Sequence, residues 1–291
     1  MRCSKFSSKL LRKKAYLSGR RIECASEGQQ KGFTLIELSI VLVIIGLLVA
    51  GVLTGQDLVA AAKIRATVAQ YESYNTSSNA FVSKYGGLPG DIAASTAESF
   101  GFAFVNGGGP TQGDGDGLIG STVSLATAES LLFWSDIYNA NLIPNALSFI
   151  PAGAAWTPAD DTGIASIAVS LPVAKIAGGN YWWVGTFTDG FNYYGLGPVT
   201  SVPVSSGTAG PVMAGGGLSP VQAYDIDVKV DDGLANTGVV QSINSSVGGT
   251  ATLAYGGSGG SCINSTNASN YSGGTLAQSR TPACQIRMRF N

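Results

Sequence analysis

The sequence predicts an α+β protein in which a long N-terminal helical spine, transmembrane in its first half, carries a globular head built on an antiparallel sheet. Three observations predict it. The run from Phe33 to Leu53 is apolar apart from one ionisable side chain, Glu37, and is long enough to cross a bilayer as a helix. That run passes without a break into apolar residues spaced three or four apart as far as Tyr85, one face of an amphipathic helix. From Leu88 onward, short apolar stretches are punctuated by Gly, Ser, Thr and Pro, the pattern of strands and turns.

Composition narrows the function. The 291 residues carry a formal net charge of −1, only 12% charged residues and no histidine. A near-neutral chain with sparse Lys and Arg lacks the basic footprint of a nucleic-acid binder. Without histidine, Ser-His-Asp and Cys-His nucleophile designs and imidazole zinc sites are excluded. Hydrophobic residues at 45% exclude a disordered chain. The neutral sum hides an asymmetry. Residues 1–32 hold nine Lys/Arg against Glu23 and Glu27, a net of +7, so the rest of the chain stands at −8. Positive charge ahead of an apolar span holds that end in the cytoplasm and places the remainder beyond the membrane.

Four segments follow in order: a basic leader at 1–32, the membrane helix at 33–54, its amphipathic continuation at 55–87, and a Gly/Ser-rich head at 88–291. Residues 58, 61, 64, 68, 71, 74, 81 and 85, with Ser78 in the same register, form the continuation's apolar face. Gly86-Gly87 and Pro89 end it. A continuous helix from Phe33 to Tyr85 would be about 80 Å long. In the head, Leu125–Ile143 reads as a second helix. Ile164–Leu171, Tyr181–Thr188, Ala223–Val230 and Gln285–Phe290 read as strands, and the Gly-rich stretches 107–120, 205–217 and 256–274 as loops. Alternation sends Trp182 and Trp183 to opposite faces of their strand, with at least one in the core; an exposed aromatic platform around them is the less favoured reading. Glu98, Glu129 and Asp136 read as solvent-facing or capping acids, and no nucleophile–base pair or phosphate loop emerges.

An acid inside a membrane span costs on the order of 2.5–3.5 kcal/mol on insertion scales, so Glu37 calls for a partner. Lys31-Gly32-Phe33-Thr34-Leu35-Ile36-Glu37-Leu38 and the apolar run behind it resemble the cleavage and methylation signature of type IV prepilins and type II secretion pseudopilins, over residues 31 to about 55. The resemblance implies a pilin-like fold and cleavage between Gly32 and Phe33 by a prepilin peptidase that also methylates the Phe33 amine. It implies that Glu37 pairs with the terminal amine of a neighbouring subunit during assembly. Glycine beside the scissile carbonyl fits a site that tolerates no side chain there. The implied location is the bacterial inner membrane, single-pass with a periplasmic head, and then a pilus or periplasmic pseudopilus.

Cys3 and Cys24 lie in the leader. Cys262 and Cys284 bracket a Ser/Asn/Gly-rich loop, in a compartment where disulfides persist. They resemble the cysteines that bound the C-terminal loop of many pilins, and a bridge of this span would stabilise by roughly 3 kcal/mol. Two acidic clusters remain. Asp114-Gly115-Asp116-Gly117 opens like a calcium loop but lacks the later ligands, so paired Asp-Gly turns are favoured. Asp225, Asp227, Asp231 and Asp232 are the candidate metal ligands. The resemblance implies calcium for heads of this kind, and oxygen ligands suit that ion; a solvated strand edge, with Asp225, Asp227 and Lys229 on one face, running into an Asp-Asp-Gly turn is the competing reading. The expected function is therefore a non-enzymatic structural subunit of a type IV filament, requiring no cofactor, whose partners are the peptidase/N-methyltransferase, other pilin subunits and the inner-membrane assembly platform. A minor or tip subunit acting as an adhesin or cargo-binding module is the alternative, because the chain left after Gly32 is long for a major subunit.

Overall fold

A computed structural model describes residues 32–102, 113–120, 128–144, 167, 171–176, 178–187, 189–201, 204–205, 208–209, 212–213, 216–245, 251–253, 262–263, 270–272 and 282–290. The apolar run and the amphipathic stretch form helix α1, Leu35–Tyr85. The chain divides into two units, Met1–Val52 and Leu53–Asn291. In the first, the described residues of α1 are exposed throughout, with Phe33 83% accessible ahead of it. The expected leader, apart from Gly32, lies outside the described residues.

In the second unit α1 acquires a face. Ile64, Thr67, Val68, Tyr71, Tyr74, Ser77, Ser78 and Phe81 are buried, at the spacing that puts residues on one side of a 3.6-residue helix. Two short helices follow, α2 (Ala94–Phe100) and α3 (Ala128–Asn139). α3 falls inside the expected 125–143 segment. The sheet is built from β1 (Asn180–Thr186), β2 (Asn192–Ser201), β6 (Val240–Ser245), β7 (Ala251–Leu253) and β8 (Gln285–Arg289), in the order β1-β2-β8-β6-β7, with every pair antiparallel. Three very short strands lie in the stretch read as a loop at 205–217 and just before it. β3 (Val204–Ser205) pairs with β4 (Thr208–Ala209), and β5 (Val212–Met213) pairs with β2. The expected strand at Ile164–Leu171 and the Gly-rich stretch 256–274 fall largely outside the described residues, whereas the described part of 107–120, residues 113–120, holds no helix or strand, as expected.

The α+β reading holds, and the core explains how α1 is joined to the sheet. Tyr74 meets Trp134, Trp182 and Tyr194 ring to edge or tilted at 4.9–6.4 Å, the geometry that aromatic quadrupoles favour. Tyr194 stacks on Phe290 at 4.2 Å, and its hydroxyl donates to the Tyr74 carbonyl. Gln70 ties three pieces together. Its amide nitrogen donates to the Val173 carbonyl, and its oxygen accepts from the Lys175 backbone and the Trp182 indole. A buried charge needs a partner. Arg287 lies between the rings of Phe187 and Tyr193 at 4.3 and 4.0 Å and bonds Asp189 and Gln241. Cys262 and Cys284 form a disulfide that ties the C-terminal loop to the start of β8.

Two sequence expectations are corrected. Ala223–Val230 is not a strand; Pro220–Val230 is helix α4. Ser219 accepts from the Gln222 backbone while the Gln222 side chain accepts from the Ser219 backbone, and Pro220 occupies the first turn. This reciprocal cap and the N-terminal proline start a helix. The apparent alternation of Asp225, Asp227 and Lys229 hid a helical register in which Ala223, Ile226 and Asp227 are buried together. Asp136 is not at the surface: it is buried on α3, where its carboxylate accepts from the Gly90 N–H at 2.8 Å. The favoured core reading of the aromatic stretch stands: Trp182 and Trp183 are both fully buried, and among its described aromatic residues only Phe191 is substantially exposed, at 43%.

Candidate functional site

The first turn of α1 builds a closed local structure around Glu37. The Thr34 backbone N–H and hydroxyl both donate to Glu37 Oε2, at 2.7 and 2.8 Å, and the Glu37 N–H donates to the Thr34 hydroxyl at 3.3 Å. This is a capping box, Thr at the N-cap and Glu three residues into the helix, which satisfies backbone donors that a helix N-terminus otherwise leaves open. The Thr-x-x-Glu spacing ahead of an apolar run was readable in the sequence, yet Thr34 was not singled out.

Around this turn the chain's own fold asks for nothing that its glycines supply. A Cβ added at Gly32, Gly46, Gly51 or Gly55 would meet nothing within 4 Å, and none of the four has a left-handed backbone. Glycine within a helix costs about 1 kcal/mol relative to alanine. The three that lie within α1 therefore weaken it without serving the packing of the lone chain. The large apolar side chains beside them, from Phe33 through Val59, are exposed.

The head brings two groups of carboxylates together, in each of which the candidate ligand atoms lie within 4.8 Å of one another. The first is Asp91, Asp114 and Glu129. Asp91 accepts from the Gly115 and Gly117 N–H groups, and Glu129 accepts from Gly120. Asp114 and Asp116 each close a short turn, accepting from Asp116 and Leu118, as the paired-turn reading expects. Asp91 and Glu129 are distant from Asp114 in sequence, so no local spacing marks them as its neighbours.

The second group is Asp227, Asp231 and Asp232. The metal-ligand set read from the sequence also held Asp225, which the helical register turns away from this group. Asp227 is fully buried; it accepts from the Gly233 N–H at 3.0 Å and from the Tyr271 hydroxyl at 2.7 Å. Asp231 accepts from the Val239 and Val240 backbone, and Asp232 from Leu234 and the Thr237 hydroxyl. The all-oxygen donor set suits a hard cation such as calcium. The same oxygens also close the turn between α4 and β6 and, through Tyr271, join it to the disulfide loop.

Both groups hold a carboxyl that resists ionisation. Burial, with repulsion from Asp91, Asp114 and Asp116, pushes Glu129 up to about 7 against the pull of the Gly120 N–H. Burial, with repulsion from Asp232 and Asp231, pushes Asp227 up to about 6 against the Tyr271 and Gly233 bonds. Asp91 is also raised, chiefly by burial. A carboxyl whose folded-state value exceeds its unfolded value near 4 binds more protons when folded. Its stabilisation is therefore complete below about pH 4 and is lost as pH rises through 6 to 7. In calcium-free buffer the melting temperature of the head is expected to rise as pH falls from 8 to 5. A midpoint that falls over that range contradicts these shifts.

Comparison with known proteins bears on the N-terminal segment. A family model described as the prokaryotic N-terminal methylation motif matches residues 28–53, the segment that contains Gly32, Phe33 and the Thr34–Glu37 box. No curated protein and no solved structure matches the chain. The chain thus carries, at the head of its apolar helix, the methylation motif that is the hallmark of type IV prepilins and pseudopilins.

Proposed function

We propose that this chain is a structural subunit of a type IV filament, cleaved after Gly32, methylated on Phe33 and assembled through α1. The observation that carries the reading is the methylation motif at 28–53 set on a helix whose first half exposes its apolar side chains. In this scheme the prepilin peptidase frees the Phe33 amine in the membrane, and that amine pairs with Glu37 of a neighbouring subunit. The apolar halves of the helices then bundle. The open space at Gly46, Gly51 and Gly55 supports the bundling, because small residues let helix backbones approach closely in a membrane. The role is assembly on the inner-membrane platform rather than catalysis.

Abundance in a sheared surface fraction tests this reading. A major subunit dominates that fraction in its processed form. A scarce chain whose deletion abolishes adhesion or secretion while filaments persist supports the minor-subunit reading, favoured by the size of the head. A chain found only as uncleaved precursor in the membrane contradicts both. Calcium is proposed at Asp227, Asp231 and Asp232 on the chemistry of their donor set. A melting temperature of the head at pH 7.5 that rises with millimolar calcium, and does not in an Asp232→Asn variant, supports it; no rise in the parent protein contradicts it.

A further inference from the structure

Five asparagines in the chain stand two residues ahead of a Ser or Thr with no proline between them: Asn75, Asn244, Asn264, Asn267 and Asn270. That pattern is the acceptor motif for sugar transfer to an asparagine amide, a modification of surface loops on exported chains. The last three recur at every third residue, Asn264-Ser265-Thr266-Asn267-Ala268-Ser269-Asn270-Tyr271-Ser272, inside the loop closed by the Cys262–Cys284 disulfide. Asn264 and Asn267 lie outside the described residues. We infer that Asn270 is a glycan acceptor, presented on the same side of the chain as Ser272 to a transferase that uses a lipid-diphosphate-linked sugar. This site goes beyond the filament reading and rests on it only in placing the head beyond the membrane.

The fold separates the described motifs from one another. On α1, Asn75 is followed by a buried Ser77 whose hydroxyl donates to the Ser73 and Leu142 carbonyls, so the hydroxyl that the motif needs is withheld. Asn244 lies within β6, in register with Thr252 of β7. Asn270 is exposed, and among the described residues nothing bonds its side chain. Tyr271 beside it is the anchor. It is buried, its hydroxyl donates to the buried Asp227, its ring meets Tyr224 edge-on and its backbone bridges Ile263. Successive side chains of an extended backbone point to opposite sides, so a Tyr271 turned inward leaves Asn270 and Ser272 turned outward together. The Ser272 N–H donates to the Cys262 carbonyl, which ties the motif to the disulfide. In the transfer, the Asn270 amide nitrogen bonds to the anomeric carbon of the sugar as the bond from that carbon to the diphosphate oxygen breaks. The lipid diphosphate leaves, and the nitrogen gives up one proton to a base of the transferase. A bulky, hydrated, solubilising group suits a loop in which Arg280 is the one charged residue between Cys262 and Cys284.

The test uses the full chain recovered from membranes of the cells that make it, digested and read by site-resolved fragment masses. Asn270 is expected to carry one glycan. Asn270→Gln, which keeps an amide, and Ser272→Ala, which keeps the asparagine, should each lose that mass at residue 270 completely, whereas Ser272→Thr retains it and Asn75→Gln changes nothing. A bare Asn270 in the parent chain overturns the acceptor role. So does a sugar found on a Ser or Thr hydroxyl of the loop instead, or one that stays on Asn270 in Ser272→Ala. The N-terminal mass of the same sample tells the two readings apart. A bare Asn270 on a chain that begins at a methylated Phe33 overturns the acceptor role and leaves the filament reading standing. A glycan on Asn270 of a chain found only as uncleaved precursor supports the acceptor role and overturns the filament reading.

Discussion

Glu37→Val is expected to yield a chain that is cleaved after Gly32 and retained in the membrane, but nearly absent from sheared filaments. The side chain lies outside the scissile bond, so the peptidase's substrate is unchanged where it is cut. In a filament the substitution leaves the Phe33 ammonium of each subunit in an apolar bundle without its carboxylate. Breaking one side of a desolvated ion pair costs about 3–5 kcal/mol. At about 1.4 kcal/mol per factor of ten, the lower bound already reduces each association step by more than a hundredfold. The capping box is lost with it, because Thr34 then has no carboxylate to hold, and helix entry weakens by about a further 1 kcal/mol. The measurement is the ratio of processed chain in the sheared fraction to that in the membrane. A ratio equal to that of the parent would show that Glu37 has no part in assembly.

The second large effect lies in the head. Gly195 sits opposite Trp183 in the β1–β2 register, and a Cβ built there would overlap the indole ring. Trp183 is fully buried, with Phe187 packed at 6.1 Å, and has no open side to swing into. Gly195→Ala must therefore displace the ring or the strand, a form of overpacking that costs about 1–3 kcal/mol, with Gly195→Val costing more. At about 2–4 °C of melting temperature per kcal/mol for a domain of this size, Gly195→Ala should lower the midpoint of the head by several degrees and Gly195→Val by more. Trp183→Leu should recover part of the loss in Gly195→Ala, since the two positions share one space. An unchanged melting temperature for Gly195→Ala would remove this account of the sheet's centre.

Legibility in the sequence followed periodicity and failed where two periods overlapped. The spine was readable because its signal is long: the buried positions keep the helical spacing from Ile64 to Phe81, and nothing local competes. β1 was readable from its aromatic and β-branched residues, and β8 from the alternation of Ile286, Met288 and Phe290 with Arg287 and Arg289. Pro220–Val230 was misread because one short segment holds both patterns. Tyr224, Ile226 and Val228 alternate as a strand would, while the deciding signal, Ser219-Pro220 with Gln222, lay just ahead of the segment. The same miss put Asp225 into the acidic group, since a two-residue alternation makes it a neighbour of Asp227 and a helical turn does not. Asp91, Glu129 and Asp136 could not be placed from sequence, because their partners Gly115, Gly120 and Gly90 are backbone N–H groups of distant loops. The N-terminal motif was the most legible part, because the pattern matched over residues 28–53 is confined to neighbouring residues and needs no fold to bring them together.

The most direct measurement is the N-terminal mass of the chain recovered from sheared filaments. A processed type IV subunit begins at Phe33 and carries one methyl group on its amine, with Gly32 and everything before it gone. A chain that begins upstream of Phe33, or one that begins there without the methyl group, contradicts the account at its centre.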